Sequence, residues 1–138
     1  MSGKSRELRQ QEQLARAERL QAAIADLEAG LRQIEDSGVV APAGCYVARY
    51  QARGQQKTYW YYKLQASDPI FPRARESGQP SRYRHLGPAG SEAHVEGVKQ
   101  VLRRVQIDEF HKAIAALKES WSDLYDSSEP NPVQKTDK

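Results

Sequence analysis

No stretch of this 138-residue chain is apolar over anything near the roughly 20 residues that span a bilayer, so a membrane segment is not expected. The first residues, Met-Ser-Gly-Lys-Ser-Arg, lead into a charged stretch without an apolar core, which argues against a signal peptide. Cysteine occurs once, at Cys45, and this excludes an internal disulfide and any multi-cysteine metal site. A cytoplasmic location, or a nuclear one in a eukaryote, is the corresponding expectation. Histidine is nearly as scarce: His85, His94 and His111 have no ligand spacing with one another or with Cys45. No serine sits in a nucleophile elbow, and Gly87-Pro88-Ala89-Gly90 is too short to cradle a phosphate. Glu92 and Glu96 share a helix face, an arrangement more often solvated surface than an acid/base pair. The residues therefore describe a chain without catalytic machinery, cofactor or metal. With 38% hydrophobic and 28% charged residues, it can build only a small core flanked by amphipathic helices.

What is present begins with a long helix. Between Ser5 and Asp36 there is no proline and one glycine, and Ala17, Leu20, Ile24, Leu27, Leu31 and Ile34 step by three and four. Upstream the seam fails at Gln10 and Gln13. A stripe this narrow needs a partner, either a second helix of the same chain or a second copy forming a homodimer. The helix is expected to end near Ser37-Gly38.

From Gly44 to Gly87 the composition changes to Tyr, Trp, Val and Arg punctuated by Gly, Pro and Ser, the signature of three consecutive antiparallel strands. Arg53 to Lys57 reads as a hairpin loop with Gly54 left-handed, and Ala66 to Pro80 as an irregular loop carrying Arg73 and Arg75. Side chains along a strand alternate between faces. One register places Tyr46, Tyr50, Trp60, Tyr62, Leu64 and Tyr83 inward. It leaves Arg49, Gln51, Arg53, Tyr59, Tyr61, Lys63, Arg82 and Arg84 on the open face. From Cys45 to Leu86 there are eight basic residues against two acidic ones, +6 where the whole chain carries +3. Arg49, Arg53, Lys57, Lys63, Arg73, Arg75, Arg82 and Arg84 supply that charge. A concentrated basic patch interleaved with aromatics suits a polyanion carrying flat bases. An ordinary solvated face is the bland alternative.

Ser91 is a good N-cap, with Glu92 in the first turn. The second helix should reach about Tyr125. Val95, Val98, Leu102 and Val105 are expected to pack on the sheet, and Phe110, Ile114, Leu117, Trp121 and Leu124 to pair with another helix. Residues 127–138 read as a polar, disordered tail.

The fold expected is α+β: residues 1–38 an amphipathic helix, residues 44–126 a three-stranded antiparallel meander backed by a long helix, then the tail. Three strands, a helix on their back and Arg, Tyr and Trp on the free face resemble AP2-type DNA-binding domains and the arm-binding domains of tyrosine integrases. The resemblance implies a sheet lying in the major groove. By position, Arg49, Gln51, Arg53, Tyr59, Tyr61, Lys63, Arg82 and Arg84 would make the contacts. The function expected is non-catalytic binding of double-stranded DNA, with RNA as the second option, in a regulatory or DNA-organising setting such as transcription regulation. The alternative is a coiled-coil adaptor or oligomerisation module.

Overall fold

In the computed structural model, which describes residues 3–54, 57–73 and 78–126, the α+β architecture is as the sequence predicts. Helix α1 covers Gly3–Asp36. Strands β1 (Tyr46–Arg53), β2 (Thr58–Gln65) and β3 (Tyr83–Pro88) form an antiparallel sheet in the order β1-β2-β3, and helix α2 covers Glu92–Leu124. The anticipated tail at 127–138 lies outside the described residues, as does Arg75.

Two compact units divide the chain, and they do not follow the sequence segments. One joins α1 up to Gln33 with α2 from Glu109; the other runs from Ile34 to Asp108.

The helical unit is an antiparallel pair formed within the chain, one of the two pairings the N-terminal stripe allows. Ala17 and Ile114 are buried, with Leu20, Ile24, Leu27 and Leu31 half-buried on α1 and Phe110, Leu117, Trp121 and Leu124 half-buried on α2. The predicted stripes are the ones used here. Gln13 marks one end of the pairing: its Nε2 donates to the carbonyl of Leu124 at 2.8 Å, satisfying one of the acceptors a helix C-terminus leaves open. Lys118 reaches Glu28 at 3.7 Å nearer the other end, an exposed pair of small energetic weight.

In the sheet unit the core is small: Ala41, Cys45, Leu64, Ala66 and Phe71 are buried, with Val47, Leu86 and Val101 packed around them. Here two predictions about packing are corrected. The first concerns the face of β1. Val47 pairs with Leu64 and Arg49 with Tyr62, so β1 turns Cys45 and Val47 toward the core beside fully buried Leu64. Tyr46 and Tyr50 therefore point the other way, and Tyr46 stays 52% exposed. β3 follows: Arg84 pairs with Leu64, Tyr83 with Gln65, and Tyr83 is 41% exposed instead of inward. Cys45 and Val47 join the apolar cluster on which Val101 of α2 packs, while a tyrosine tolerates the surface because its hydroxyl remains hydrated.

The second correction concerns α2. Val95, Val98, Leu102 and Val105 are exposed by 43%, 47%, 53% and 51%. The sheet-facing side of this half carries Gly97, Val101 and a set of polar groups that grip the connector after α1. Gln100 accepts the amide of Ala41 on its backbone carbonyl, Arg104 Nε donates to the Ala41 carbonyl at 2.8 Å, and Arg103 Nη1 donates to the Val39 carbonyl at 2.7 Å. At Gly97 the helix backbone lies against the side chain of Leu86. A Cβ there would stand 2.6 Å from Leu86 Cδ1. Leu86 itself is the residue skipped by the pairing, since Lys63 meets His85 and Tyr62 meets Gly87.

The caps agree with the sequence. Ser91 Oγ accepts the His94 amide, and the Ser91 carbonyl accepts that of Val95. Gly54, in contrast, is not left-handed; its amide closes the hairpin by donating to the Lys57 carbonyl at 2.8 Å. Within the loop after β2, Phe71 and Ser81 form a two-way backbone bridge at 2.9 and 2.7 Å.

Candidate nucleic-acid interface

Because each strand alternates, the register decides which predicted contact residues share a face. Tyr50 pairs with Tyr61, Ala48 with Lys63, Ala52 with Tyr59 and Lys63 with His85. The face turned away from the core thus collects Tyr46, Tyr50, Tyr59, Tyr61 and Tyr83, five of the chain's seven tyrosines, around Lys63 and His85. Ala48 and Ala52 leave the space between the rings.

Contacts across the strands order these groups. The Lys63 ammonium lies 4.3 Å from the centre of the Tyr83 ring and 5.2 Å from that of Tyr50. The Tyr50 hydroxyl and His85 Nδ1 share a hydrogen bond of 3.0 Å, and the two rings meet edge-on at 5.8 Å. His85 also meets Tyr83 edge-on at 5.5 Å, and Tyr50 lies 6.0 Å from Tyr61. Each cation–π contact contributes about 0.5–1 kcal/mol at an exposed site and restricts the rotamers of a long lysine chain. The result is a pre-ordered platform of rings with a single cation at its middle.

The core-side face holds the other predicted residues. Arg49, Gln51 and Arg53 share parity with Val47, and Arg84 shares it with Leu86. Arg49 stacks on Trp60 with its guanidinium carbon 3.8 Å from the ring centre. Trp60 remains 39% exposed. Tyr62 on the same face is covered instead: it stacks on His94 of α2 at 3.7 Å between ring centres. Arg84 donates to Gln100 Oε1 at 3.4 Å and lies over the Phe71 ring at 5.2 Å. The ladder of β1 and β2 runs on past Pro88, the last residue of β3, which pairs with Tyr61. Gln51, Arg53 and Trp60 lie in that extension, where both faces are open.

Lys57, Arg73 and Arg82 are exposed around this sheet. The structure thus brings Tyr59, Tyr61 and Lys63 together, holds Arg49, Gln51, Arg53 and Arg84 on the opposite side, and leaves Lys57, Arg73 and Arg82 at the margins. Tyr46, Tyr50 and Tyr83, which the pattern alone places inward, belong to the open face together with His85. The signal that marks them is their hydroxyl or ring nitrogen, which a strand burying only a small core does not need to hide.

Two ionisable groups in this unit are displaced from their ordinary range. Burial pushes the Cys45 thiol up, against the opposing pull of Arg84 and Arg104. Hydrogen bonds from Arg103 and then Gln100 hold the Glu96 carboxyl below the usual range. Neither lies on the tyrosine face. Among the described residues, no three His, Cys, Asp or Glu side chains converge as a metal site would require. Compared with protein-family models, curated proteins and solved structures, the chain matches none.

Proposed function

We propose that this protein binds nucleic acid without catalysis, and that it holds single-stranded nucleic acid on the tyrosine face of its sheet. The observation that carries this reading is the collection of five tyrosines, Lys63 and His85 on one open face. Unpaired bases stack on such rings, with about 1–3 kcal/mol per base lost on alanine substitution. A duplex hides the faces of its bases and offers edges and phosphates, so a sheet gripping it needs several cations on the contacting face. Among the described residues, Lys63 is the one Lys or Arg among the rings, while Arg49, Arg53 and Arg84 lie on the core side. That separation favours a single strand over the duplex DNA suggested by the sequence pattern. A regulatory or DNA-organising setting is compatible with either.

The test compares a labelled twelve-nucleotide single strand with the same sequence as a duplex, by fluorescence anisotropy across a salt series. With three or four phosphates reached by Lys63 and the marginal cations, the single strand should give a log–log slope of roughly −2 to −3. Tyr59→Ala with Tyr61→Ala should weaken binding at least tenfold without altering that slope. Tighter binding of the duplex, unchanged in the double variant, overturns the reading.

A second reading, an oligomerisation module, is favoured by one observation. Val95, Val98, Leu102 and Val105 form a three-four-three stripe, each residue 43–53% exposed. Sedimentation equilibrium over a hundredfold concentration range, on the parent and on Leu102→Glu, tests it: self-association that the variant abolishes supports it, and a monomer throughout rejects it.

A further inference from the structure

The open edge of β3 carries a second feature that the stacking platform does not use. Pro72, Arg73, Ser81, Tyr83, Arg84 and His85 line a cleft of about 400 Å³. Two of the six are arginines, one is a histidine and none is an acid. The Phe71–Ser81 bridge ties Pro72 and Arg73 to the start of β3 and so fixes one wall.

The backbone adds a donor. Arg82 turns its carbonyl toward Ala66 at 2.8 Å, so alternation turns the amides of Tyr83 and His85 away from β2, toward the unpaired edge. Ser81 Oγ accepts the first of these at 3.2 Å. The second faces the same edge as Arg73. Arg84 spends one long hydrogen bond on Gln100, and a guanidinium has five donors in a planar fork. An outward amide, two guanidinium groups and an imidazole, with no carboxylate among the described lining residues, match one chemistry, a tetrahedral oxyanion bound by forked donors.

We infer that this cleft is a phosphate-binding site, and that the phosphate it takes is one link of a nucleic-acid backbone whose neighbouring base lies on Tyr83. The source of the phosphate rests on the single-strand reading of the sheet; the anion chemistry of the cleft does not. Tyr83 joins the two features: its ring belongs to the platform, and the same residue lines the cleft. A strand crossing the sheet toward β3 therefore meets two guanidinium groups as it leaves the rings.

The experiment uses the full chain labelled with nitrogen-15. Inorganic phosphate is titrated at constant ionic strength with chloride as the balancing ion, and the backbone amides of Tyr83 and His85 and the Nε of Arg73 are followed. Saturable shifts at these positions, lost in Arg73→Gln, are expected. Arg73 is exposed and outside the core, so this variant should keep the parent spectrum elsewhere. Shifts equal with chloride alone, or unchanged in Arg73→Gln, overturn the inference. The single strand is then added. Arg73→Gln should bind it several-fold more weakly, with a slope shallower by about 0.7, the value for one phosphate contact on a single strand. If Arg73→Gln keeps parental affinity and slope while the tyrosine variants lose binding, the cleft inference fails and the sheet reading stands. If phosphate shifts the cleft but the single strand binds at no salt concentration, the cleft stands and the sheet reading fails.

Discussion

The two halves of α2 pack in different ways: one buries a purely apolar stripe, the other mixes apolar and polar side chains. From Glu109 onward the inward positions are Phe110, Ile114, Leu117, Trp121 and Leu124, as a hydrophobic stripe predicts. From Glu92 to Asp108 the predicted apolar stripe is exposed, and the packed side mixes Gly97, Val101 and buried Ile107 with Gln100, Arg103 and Arg104. The difference follows from what each half meets. A helix facing another helix can hide side chains between two ridged surfaces. The sheet-side half meets a sheet and a connector whose carbonyls need donors; Arg103 and Arg104 supply them, and the Gln100 backbone carbonyl accepts the Ala41 amide. Hydrophobic periodicity reads the first situation well and misreads the second.

The largest effect expected from this contrast is in the helical pair. Ile114→Ala should cost about 2–4 kcal/mol in urea denaturation, because it empties a buried position that can close only in part. Next comes Arg104→Ala, which removes the donor to the carbonyl of fully buried Ala41 and should cost about 1–3 kcal/mol in the same measurement. A negligible cost there would mean that the polar grip does not hold the sheet-side half, and the contrast would break. Leu102→Ala, on the exposed stripe, should stay within about 0.5 kcal/mol. A cost comparable to that of Ile114→Ala, growing with protein concentration, would show that a second copy covers the stripe.

Two pH effects sharpen the picture of the sheet-side unit. The folded state binds the Cys45 proton more tightly than the unfolded chain does. The associated stability is therefore fully present at neutral pH and is lost as pH rises above the ordinary thiol range. Denaturation of Cys45→Ala should lack the part of the alkaline decline that the parent shows. Glu96 has the opposite sign: its contribution is present above the ordinary carboxylate range and is lost as pH falls through its lowered value. Its carboxylate is well hydrated, so this effect should be the smallest of all, seen as a slightly flatter acid limb in Glu96→Gln.

Much of the candidate interface was legible in the chain. Tyr59, Tyr61 and Lys63 lie together on the open face as the pattern of β2 implies, and the concentration of charge around the sheet is plain from composition. Tyr50, Tyr83 and His85 were not legible as part of it. Nothing local to β1 or β3 states which of its two faces joins Leu64. Arg73 and Arg84 could be counted as cations, but their meeting at one cleft depends on the Phe71–Ser81 bridge, a pairing ten residues apart across an irregular loop.

The sequence by itself determined the order of elements, the caps of α2, the stripe that pairs the helices and the two sets of residues within each strand. These depend on periods of 3.6 and 2, which are properties of a single segment. Only the tertiary structure decided how the sets combine. An alternating strand has two faces, and a one-residue change in pairing exchanges them entirely. The pairing of Val47 with Leu64 made that choice, turning small apolar side chains toward α2 and the tyrosines toward the open face. It is a choice between strands, set by which side chains join Leu64 in the core, and no single strand carries it.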